Sequence, residues 1–171
     1  MIEDKLLENR IIIINGSIKE ETTKDVVSKL LYLDSINNDD ISIYINSPGG
    51  YVTDGFAIID TMNIVRSDIR TYCIGSACSM AAVILSCGKK GKRYVLTNAE
   101  VMIHQPSGGA YGESDDILIS SNNLVKCKNK LIDILSKNTK KSKTDINKYF
   151  NNDYYMDSKE AVEFGIVDFI L

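Results

Sequence analysis

Ser79 lies in the stretch GSACSMAAVIL (residues 75–85), where a strand-like segment gives way to an apolar one. A sharp strand-to-helix turn that presents a nucleophilic serine leaves no room for large side chains two residues to either side. Those two positions hold Ala77 and Ala81, where the familiar signature has glycine. The pattern allows two interpretations: a serine nucleophile, or a serine that only caps the N-terminus of a helix.

His104 is the single histidine of the chain and ends the short apolar segment EVMIH. An imidazole can accept the proton of a serine hydroxyl near neutral pH. If Ser79 is a nucleophile, His104 must therefore be its general base. The alternative is a half-buried strand histidine whose ring is satisfied by hydrogen bonds.

A serine–histidine pair also needs a carboxylate that orients the imidazole. Spacing does not choose among the aspartates that follow the histidine, which are Asp115, Asp116, Asp133, Asp145, Asp153, Asp157 and Asp168. Asp153 is preferred, because the two tyrosines that follow it would shield a carboxylate from water.

Backbone amides would have to stabilise the oxyanion that forms during acyl transfer. The residue after the nucleophile normally supplies one amide, and here that residue is Met80. The turn SPGG offers a second amide at Gly49 or Gly50, because glycine lets the backbone approach a ligand closely. An ordinary turn is the simpler interpretation. A phosphate-binding loop is excluded, because the chain has neither of the two glycine-rich nucleotide signatures.

The elements that must position these residues alternate in the first half of the chain. Apolar segments rich in β-branched residues and ended by turn residues predict strands over 10–18, 41–47 and 69–75. Apolar residues at helical spacing predict helices over 19–37, 53–67 (with Thr53 as N-cap) and 79–88. This alternation is typical of parallel βαβ units, whose ligands bind at the carboxyl ends of the strands. The SPGG and GSACS turns both lie at such ends.

The second half of the chain is less regular. Strands are predicted over 93–97 and 100–105, and the glycine-rich segment 107–114 is predicted to be extended and irregular. A long helix is predicted over about 115–138, with apolar pairs that recur every seven residues. That step fits a helix that packs along a partner, and it fits equally a surface helix on its own core. The remaining residues predict short helices over 142–150 and 158–164 and a final strand.

The composition is that of an ordinary globular domain. With 44% hydrophobic and 25% charged residues, the 171 residues suffice for a buried core, and no linker divides them. We therefore expect one domain over 1–171. A net charge of −3 gives no electrostatic footprint for nucleic acid. We expect a protein that is neither secreted nor inserted in a membrane, because the chain shows no secretory signal and no long apolar run.

The four cysteines are Cys73, Cys78, Cys87 and Cys127, and they include no C-x-x-C pair. A chain of this length does not need disulfides to fold, so we expect reduced, mostly buried thiols. One histidine and scattered cysteines lack the ligand spacing of a zinc site. We expect no metal and no cofactor.

Motifs along nearly the whole chain, from Leu6 to Leu171, resemble one family. They are LLENRIIIINGSI, YINSPGGYVTDGFAIIDTM, GSACSMAAVIL, GKKGKRYVLTNAEVMIHQPSGG and MDSKEAVEFGIVD. The chain looks like the proteolytic subunit of the ATP-dependent Clp protease, a self-compartmentalising serine peptidase. The motifs are specific, because they occur in the order of the family.

The resemblance implies a role for each matching residue. Ser79 would be the nucleophile, His104 the general base and Asp153 the orienting carboxylate. Gly50 and Met80 would supply the oxyanion amides. A substrate peptide would add as a strand between two segments of the chain, through the binding residues Gly49, Tyr51, Val52, Gln105, Pro106 and Ser107.

The family also implies a fold and partners. The fold would be crotonase-like α/β, with repeated ββα units and a projecting handle helix at about 115–138. Handle helices would interdigitate between two stacked seven-membered rings, either a homo-oligomer or a mixed ring with a paralogue. An AAA+ ATPase unfoldase would deliver unfolded polypeptides. The expected location is the cytoplasm, or an organellar stroma or matrix if a transit peptide was removed.

Two other functions stay open. One is a non-catalytic ring subunit that supports an active paralogue, and the other is a crotonase-type acyl-CoA enzyme, against which the MIHQP motif argues.

The family often pairs an acidic residue and an arginine across rings just before the catalytic aspartate. Here Asn151 and Asn152 stand at those positions, so we expect the rings to separate more readily than in relatives with the ion pair.

Overall fold

The computed structural model describes residues 2–171, which form seven helices and seven strands. The strands are β1 (Ile11–Asn15), β2 (Ile41–Ser47), β3 (Ile69–Cys78), β4 (Arg93–Val95), β5 (Glu100–Ile103), β6 (Tyr154–Met156) and β7 (Phe169–Ile170). The helices are α1 (Ile2–Glu8), α2 (Glu20–Ile36), α3 (Val52–Ile64), α4 (Met80–Ser86), α5 (Ser114–Thr139), α6 (Lys143–Tyr149) and α7 (Ser158–Phe164). Within residues 2–171, no helix combines the length and the apolar character needed to cross a membrane.

The strands form one mixed sheet. Five of them follow the order β1-β2-β3-β4-β7, and each neighbouring pair is parallel. Strand β5 pairs in parallel with β3 and antiparallel with β6. Helices α2, α3 and α4 connect the early parallel strands, as the alternating pattern predicted. The predicted α/β class is confirmed.

Strand β3 is long because it serves two sets of neighbours. Residues 71–73 pair with β4, and residues 76–78 pair with β5. Between these halves Gly75 adopts a φ of +76°, and the register against β2 shifts there. An added Cβ on Gly75 would lie 2.7 Å from the side-chain oxygen of Asn46. The bulge therefore redirects the second half of β3 toward β5, and Ser79 directly follows that half.

The two faces of the parallel strands differ in what they carry. Side chains alternate across a strand, and the isoleucines of β2 point to one face, where they are fully buried against the helices. The other face carries a row of stacked rings, one on each of four neighbouring strands: Tyr44, Tyr72, Tyr94 and Phe169. Successive ring centroids in this row are 4.5, 4.8 and 5.8 Å apart.

Arg93 is the largest fully buried side chain among the described residues, with 1% of its surface exposed. Its guanidinium donates to both carboxylate oxygens of Asp168, at 2.9 and 2.7 Å. It also donates to the carbonyl oxygens of Ser86, at the end of α4, and Asn138, near the end of α5. The buried charge is therefore paired, and it joins three elements that meet at one place.

Helix α5 projects from the body of the molecule. Its C-terminal half is anchored by buried Leu131, Ile132 and Leu135. Its N-terminal half, residues 114–125, is largely exposed and presents apolar side chains, among them Leu118, Ile119 and Val125. The long helix predicted over about 115–138 is confirmed. Of the three apolar pairs in its seven-residue step, only Leu131 and Ile132 pack on the core of the subunit; the first two pairs lie on the projecting half, residues 114–125.

The structure differs from the sequence-based predictions at three places. Helix α1 was not predicted, because its apolar positions are few and none of them is buried. Strand β6 was also not predicted, because three residues carry too little pattern to identify a strand. Thr53 is not the N-cap of α3: the helix begins at Val52, and its N-cap Tyr51 makes no side-chain cap hydrogen bond.

Candidate active site

Ser79 occupies a sharp turn between β3 and α4. Its backbone has φ 55° and ψ −124°. Residues other than glycine rarely adopt this conformation, because it is strained. Its amide donates to the carbonyl oxygen of Met102 on β5 at 2.8 Å, and that bond holds the turn in place. The hydroxyl makes no cap hydrogen bond to α4, so the interpretation of Ser79 as a simple helix cap is wrong.

The side chains of Ser79, His104 and Asp153 form a continuous hydrogen-bonded chain. His104 Nε2 lies 2.9 Å from Ser79 Oγ, and His104 Nδ1 lies 3.0 Å from Asp153 Oδ1. A carboxylate can only accept a hydrogen bond, so the Nδ1–H of His104 donates one to Asp153. In that tautomer Nε2 is the acceptor that faces the serine hydroxyl. The arrangement can remove the hydroxyl proton and return it to a leaving group.

Two short strands bring the base and the carboxylate together. His104 directly follows β5, and Asp153 directly precedes β6. These strands pair antiparallel, with Ile103 opposite Tyr154. The two side chains are 49 residues apart in sequence and lie side by side at one end of this pair.

The other aspartates that follow His104 make no contact with its ring among the described residues; they are Asp115, Asp116, Asp133, Asp145, Asp157 and Asp168. Asp157 accepts hydrogen bonds from two amides of the first turn of α7 and so caps that helix. Asp168 is buried against Arg93. Asp153 is therefore the aspartate in reach of the imidazole.

The SPGG turn packs directly on the nucleophile. Gly49 is buried with φ +94°, and an added Cβ there would lie 2.7 Å from Ser79 Cβ and 3.1 Å from the amide nitrogen of Met80. A glycine is required here because both the φ angle and the space exclude a side chain. The turn therefore lies against the start of α4.

Two backbone amides, those of Gly50 and Met80, have no acceptor among residues 2–171. Met80 directly follows Ser79, and Gly50 directly follows Gly49, which packs on Ser79. Ile18 forms a parallel bridge with Gly50 by donating to the oxygen of Gly49 and accepting from the amide of Tyr51. Because amides along an extended segment alternate in direction, the amide of Gly50 points away from Ile18. Both amides are therefore free to donate a hydrogen bond to a bound group.

Gly49→Ala is expected to disturb the site while leaving the core intact. The added methyl group would push the turn away from Ser79 and Met80, so we expect the rate of serine labelling by a fluorophosphonate to fall at least about tenfold. Gly91→Ala is the matched control, because Gly91 also has a positive φ (+82°) but no atom within 4 Å of an added Cβ. Labelling of both variants at the wild-type rate would show that the contact between the turn and Ser79 is unimportant.

The residues named as substrate-binding lie on two segments, one before Ser79 and one after His104 in the chain. One is the turn with Gly49, Tyr51 and Val52, which packs on the serine. The other, here called the ribbon (residues 105–111), follows His104 and has no regular secondary structure. Its first residues are Gln105, Pro106 and Ser107, and all but Pro106 are exposed, as is Tyr51.

Cys78 lies beside the serine but is not a second nucleophile. Burial raises the pKa of its thiol, and the nearby carboxylates of Glu100 and Asp153 act in the same direction. A thiol with a raised pKa stays protonated at neutral pH, and the neutral form is a poor nucleophile. Burial likewise raises the pKa of Cys73 to about 12. All four cysteines are free.

Two residues at the site were missed from the sequence: Ile18, which bridges Gly50, and Met102, whose carbonyl oxygen holds the amide of Ser79. Both act through backbone atoms, which the side-chain type does not reveal. The alternation of β5 could have placed Met102 on the same face as His104, two residues later. No signal in the sequence marks Ile18.

In a comparison with models of protein families, the model described as Clp protease matches residues 1–171. The match therefore includes the serine turn, the SPGG turn, the ribbon and the long helix α5.

Proposed function

The chain belongs to the Clp protease family and has its crotonase-like α/β fold, and on that premise we propose that it is a serine endopeptidase acting through Ser79, His104 and Asp153. Membership makes the chain a peptidase of the Clp type. The observation that carries the proposed roles is the relay itself, with 2.9 Å from Oγ to Nε2 and 3.0 Å from Nδ1 to Oδ1. These are hydrogen-bond distances, as a nucleophile and its base require.

Acylation starts at Ser79. Its Oγ attacks the carbonyl carbon of the substrate peptide while His104 Nε2 takes the hydroxyl proton. The tetrahedral intermediate collapses as Nε2 gives that proton to the leaving nitrogen, and the C–N bond breaks. A water molecule then attacks the resulting ester with His104 again as base, and Ser79 is regenerated. Throughout, Asp153 holds the Nδ1–H and so the ring orientation.

The amides of Gly50 and Met80 would stabilise the oxyanion. Both are free of other acceptors among residues 2–171; Met80 directly follows Ser79, and Gly50 directly follows Gly49, which packs on Ser79. Removing one donor of this kind typically lowers kcat by about 10²- to 10³-fold. The strained backbone of Ser79 fits this role, because a nucleophile at a sharp strand-to-helix turn is normally followed by an amide of the oxyanion site.

The substrate would bind as an added β-strand between the SPGG turn and the ribbon. Gly50 has its free amide on the edge that faces away from Ile18, so a peptide can pair there. Tyr51 and Val52 would extend this wall, and Gln105, Pro106 and Ser107 would form the opposite wall. Backbone pairing of this kind accepts many sequences, which suits a protease that degrades unfolded polypeptides.

We also propose an assembled enzyme. The projecting half of α5 exposes Leu118, Ile119 and Val125, which a lone subunit leaves in water. Covering them against the same helix of other copies would give the stacked seven-membered rings of the family, built from one subunit type or with a paralogue. An AAA+ ATPase unfoldase would then feed polypeptides into the enclosed space.

Intact mass after incubation with a fluorophosphonate, on protein first separated by size, tests the proposal. We expect one adduct per chain, mapped to Ser79, on a large assembly. An adduct elsewhere would contradict the role of Ser79. No adduct on well-folded protein would favour the alternative function, a ring subunit that is inactive without a paralogue, and adding that paralogue would be the next measurement.

A further inference from the structure

The ribbon meets helix α5 at two places. Lys128 Nζ donates to the side-chain oxygen Oε1 of Gln105 at 3.2 Å, directly after His104. Further along, an added Cβ on Gly108 would lie 3.6 Å from a methyl carbon of Leu124, so the ribbon backbone rests on that side chain. Leu124 and Lys128 are four residues apart, one helical turn, and so share one face of α5. That face supports the ribbon.

Support for the ribbon is otherwise sparse. Residues 105–111 belong to no helix or strand, and Gly108 and Gly109 add backbone freedom. A groove of about 370 Å³ lies between residues 108–110 and α5, and Ile117 and Cys127 are among the residues that line it. Among the described side chains, Lys128 provides the only hydrogen bond to a ribbon side chain. An extended segment with so few contacts loses conformational entropy when it must pair with a peptide.

We propose that Lys128 is a positioning residue for peptide binding: it holds Gln105, and thereby the start of the ribbon, in the extended form that a substrate strand requires. The inference rests on the proposed peptidase function. Lys128 touches neither the nucleophile nor its base, so it contributes to binding and not to the chemical step. Its loss raises KM for peptides, because part of the binding free energy is spent on ordering the ribbon.

Lys128→Met tests this role, with Lys126→Met as the matched control. Lys126 lies two residues earlier, on the opposite side of the same helix, and is exposed. We expect Lys128→Met to raise KM for a fluorogenic peptide about three- to tenfold, the range for one hydrogen bond, with kcat and the rate of fluorophosphonate labelling unchanged. Lys128→Arg keeps a cationic donor and restores most of the wild-type KM, and Lys126→Met has no effect.

A double-mutant cycle separates positioning from the charge of Lys128 itself. In a Gln105→Met background, Lys128→Met is expected to add nothing to the rise in KM, because the contact is already lost. The same rise in both backgrounds, or a wild-type KM for Lys128→Met, would overturn the proposal.

Hydrogen exchange at the ribbon amides gives a readout that needs no turnover. Lys128→Met is expected to speed exchange over residues 105–110 relative to Lys126→Met, even if the wild-type protein cleaves nothing. Unchanged exchange sinks the inference about Lys128. The wild type could lack cleavage and labelling while Lys128→Met still speeds exchange. That result would contradict the peptidase function and leave the role of Lys128 intact.

Discussion

Ser79→Ala is expected to lower kcat for peptide cleavage by about 10⁶-fold, the loss typical of triad enzymes without their nucleophile. The hydroxyl is the one oxygen within hydrogen-bond distance of His104 Nε2 among the described residues, so no neighbouring group can replace it. Cys78 next to it keeps its proton, because burial raises the pKa of the thiol. Cleavage of a fluorogenic peptide and fluorophosphonate labelling both measure the loss.

Ser76→Ala is the matched control for this variant, because Ser76 lies three residues earlier, on the strand that leads to Ser79. Its hydroxyl has no contact with the imidazole among residues 2–171, so activity should stay near that of the wild type. Both variants should keep the wild-type assembly on sizing. Full cleavage by Ser79→Ala would show that the relay seen here does not perform the reaction.

Arg93→Met is expected to reduce the free energy of unfolding by about 3–5 kcal/mol, the cost of breaking a buried ion pair by removing one partner. The change leaves Asp168, with 6% of its side chain exposed, without its main counter-charge. It also removes the donor for the carbonyl oxygens of Ser86 and Asn138. Urea unfolding measures the change in stability.

Lys90→Met is the control, since Lys90 pairs with the same carboxylate but is 60% exposed. We expect it to cost less than about 1 kcal/mol, as exposed pairs do. Equal losses in the two variants would mean that burial of Arg93 contributes nothing.

Acid dependence gives a second check on the pair. Burial alone would raise the pKa of Asp168, but hydrogen bonds from Arg93 and Lys90 outweigh it and hold the pKa well below the ordinary 3.8. A group with a depressed folded pKa stabilises the fold above its unfolded pKa, and this contribution is lost as the pH falls below about 4. The acid loss should therefore be smaller in Arg93→Met than in the wild type.

The alternation of strands and helices could be predicted because each early strand is a run of β-branched residues and each helix has a clear apolar face. The long helix α5 was predicted within a residue at each end for the same reason. Strand β6 could not be predicted, since Tyr154–Met156 forms a strand only by pairing with β5. Helix α3 begins a residue earlier than Thr53 suggested, because tertiary position outweighs the preference of one side chain for a cap.

The site could be predicted in its residue types but not in its pairing. The small residues around Ser79 marked it as the candidate nucleophile. The single histidine left His104 as the one possible general base. The carboxylate could not be derived from spacing, because Asp153 reaches His104 through the register of two strands that are far apart in sequence. The tyrosines that follow Asp153 favoured it, and the resemblance to the family then assigned it this role. The contact between Lys128 and Gln105 could not be predicted, because a lysine on an exposed helix is common and indicates no particular partner.

The pairing of β5 with β6 has a consequence for the whole segment between them. Helix α5, α6 and the ribbon form a single insertion that leaves the sheet at His104 and returns at Asp153. The two ends of this insertion are thus the two side chains joined by the 3.0 Å hydrogen bond. Its interior is also held by the core, through the buried side chains of Leu131, Leu135 and Ile146. A displacement of α5 would therefore act on a segment whose two ends are joined by the hydrogen bond between His104 and Asp153.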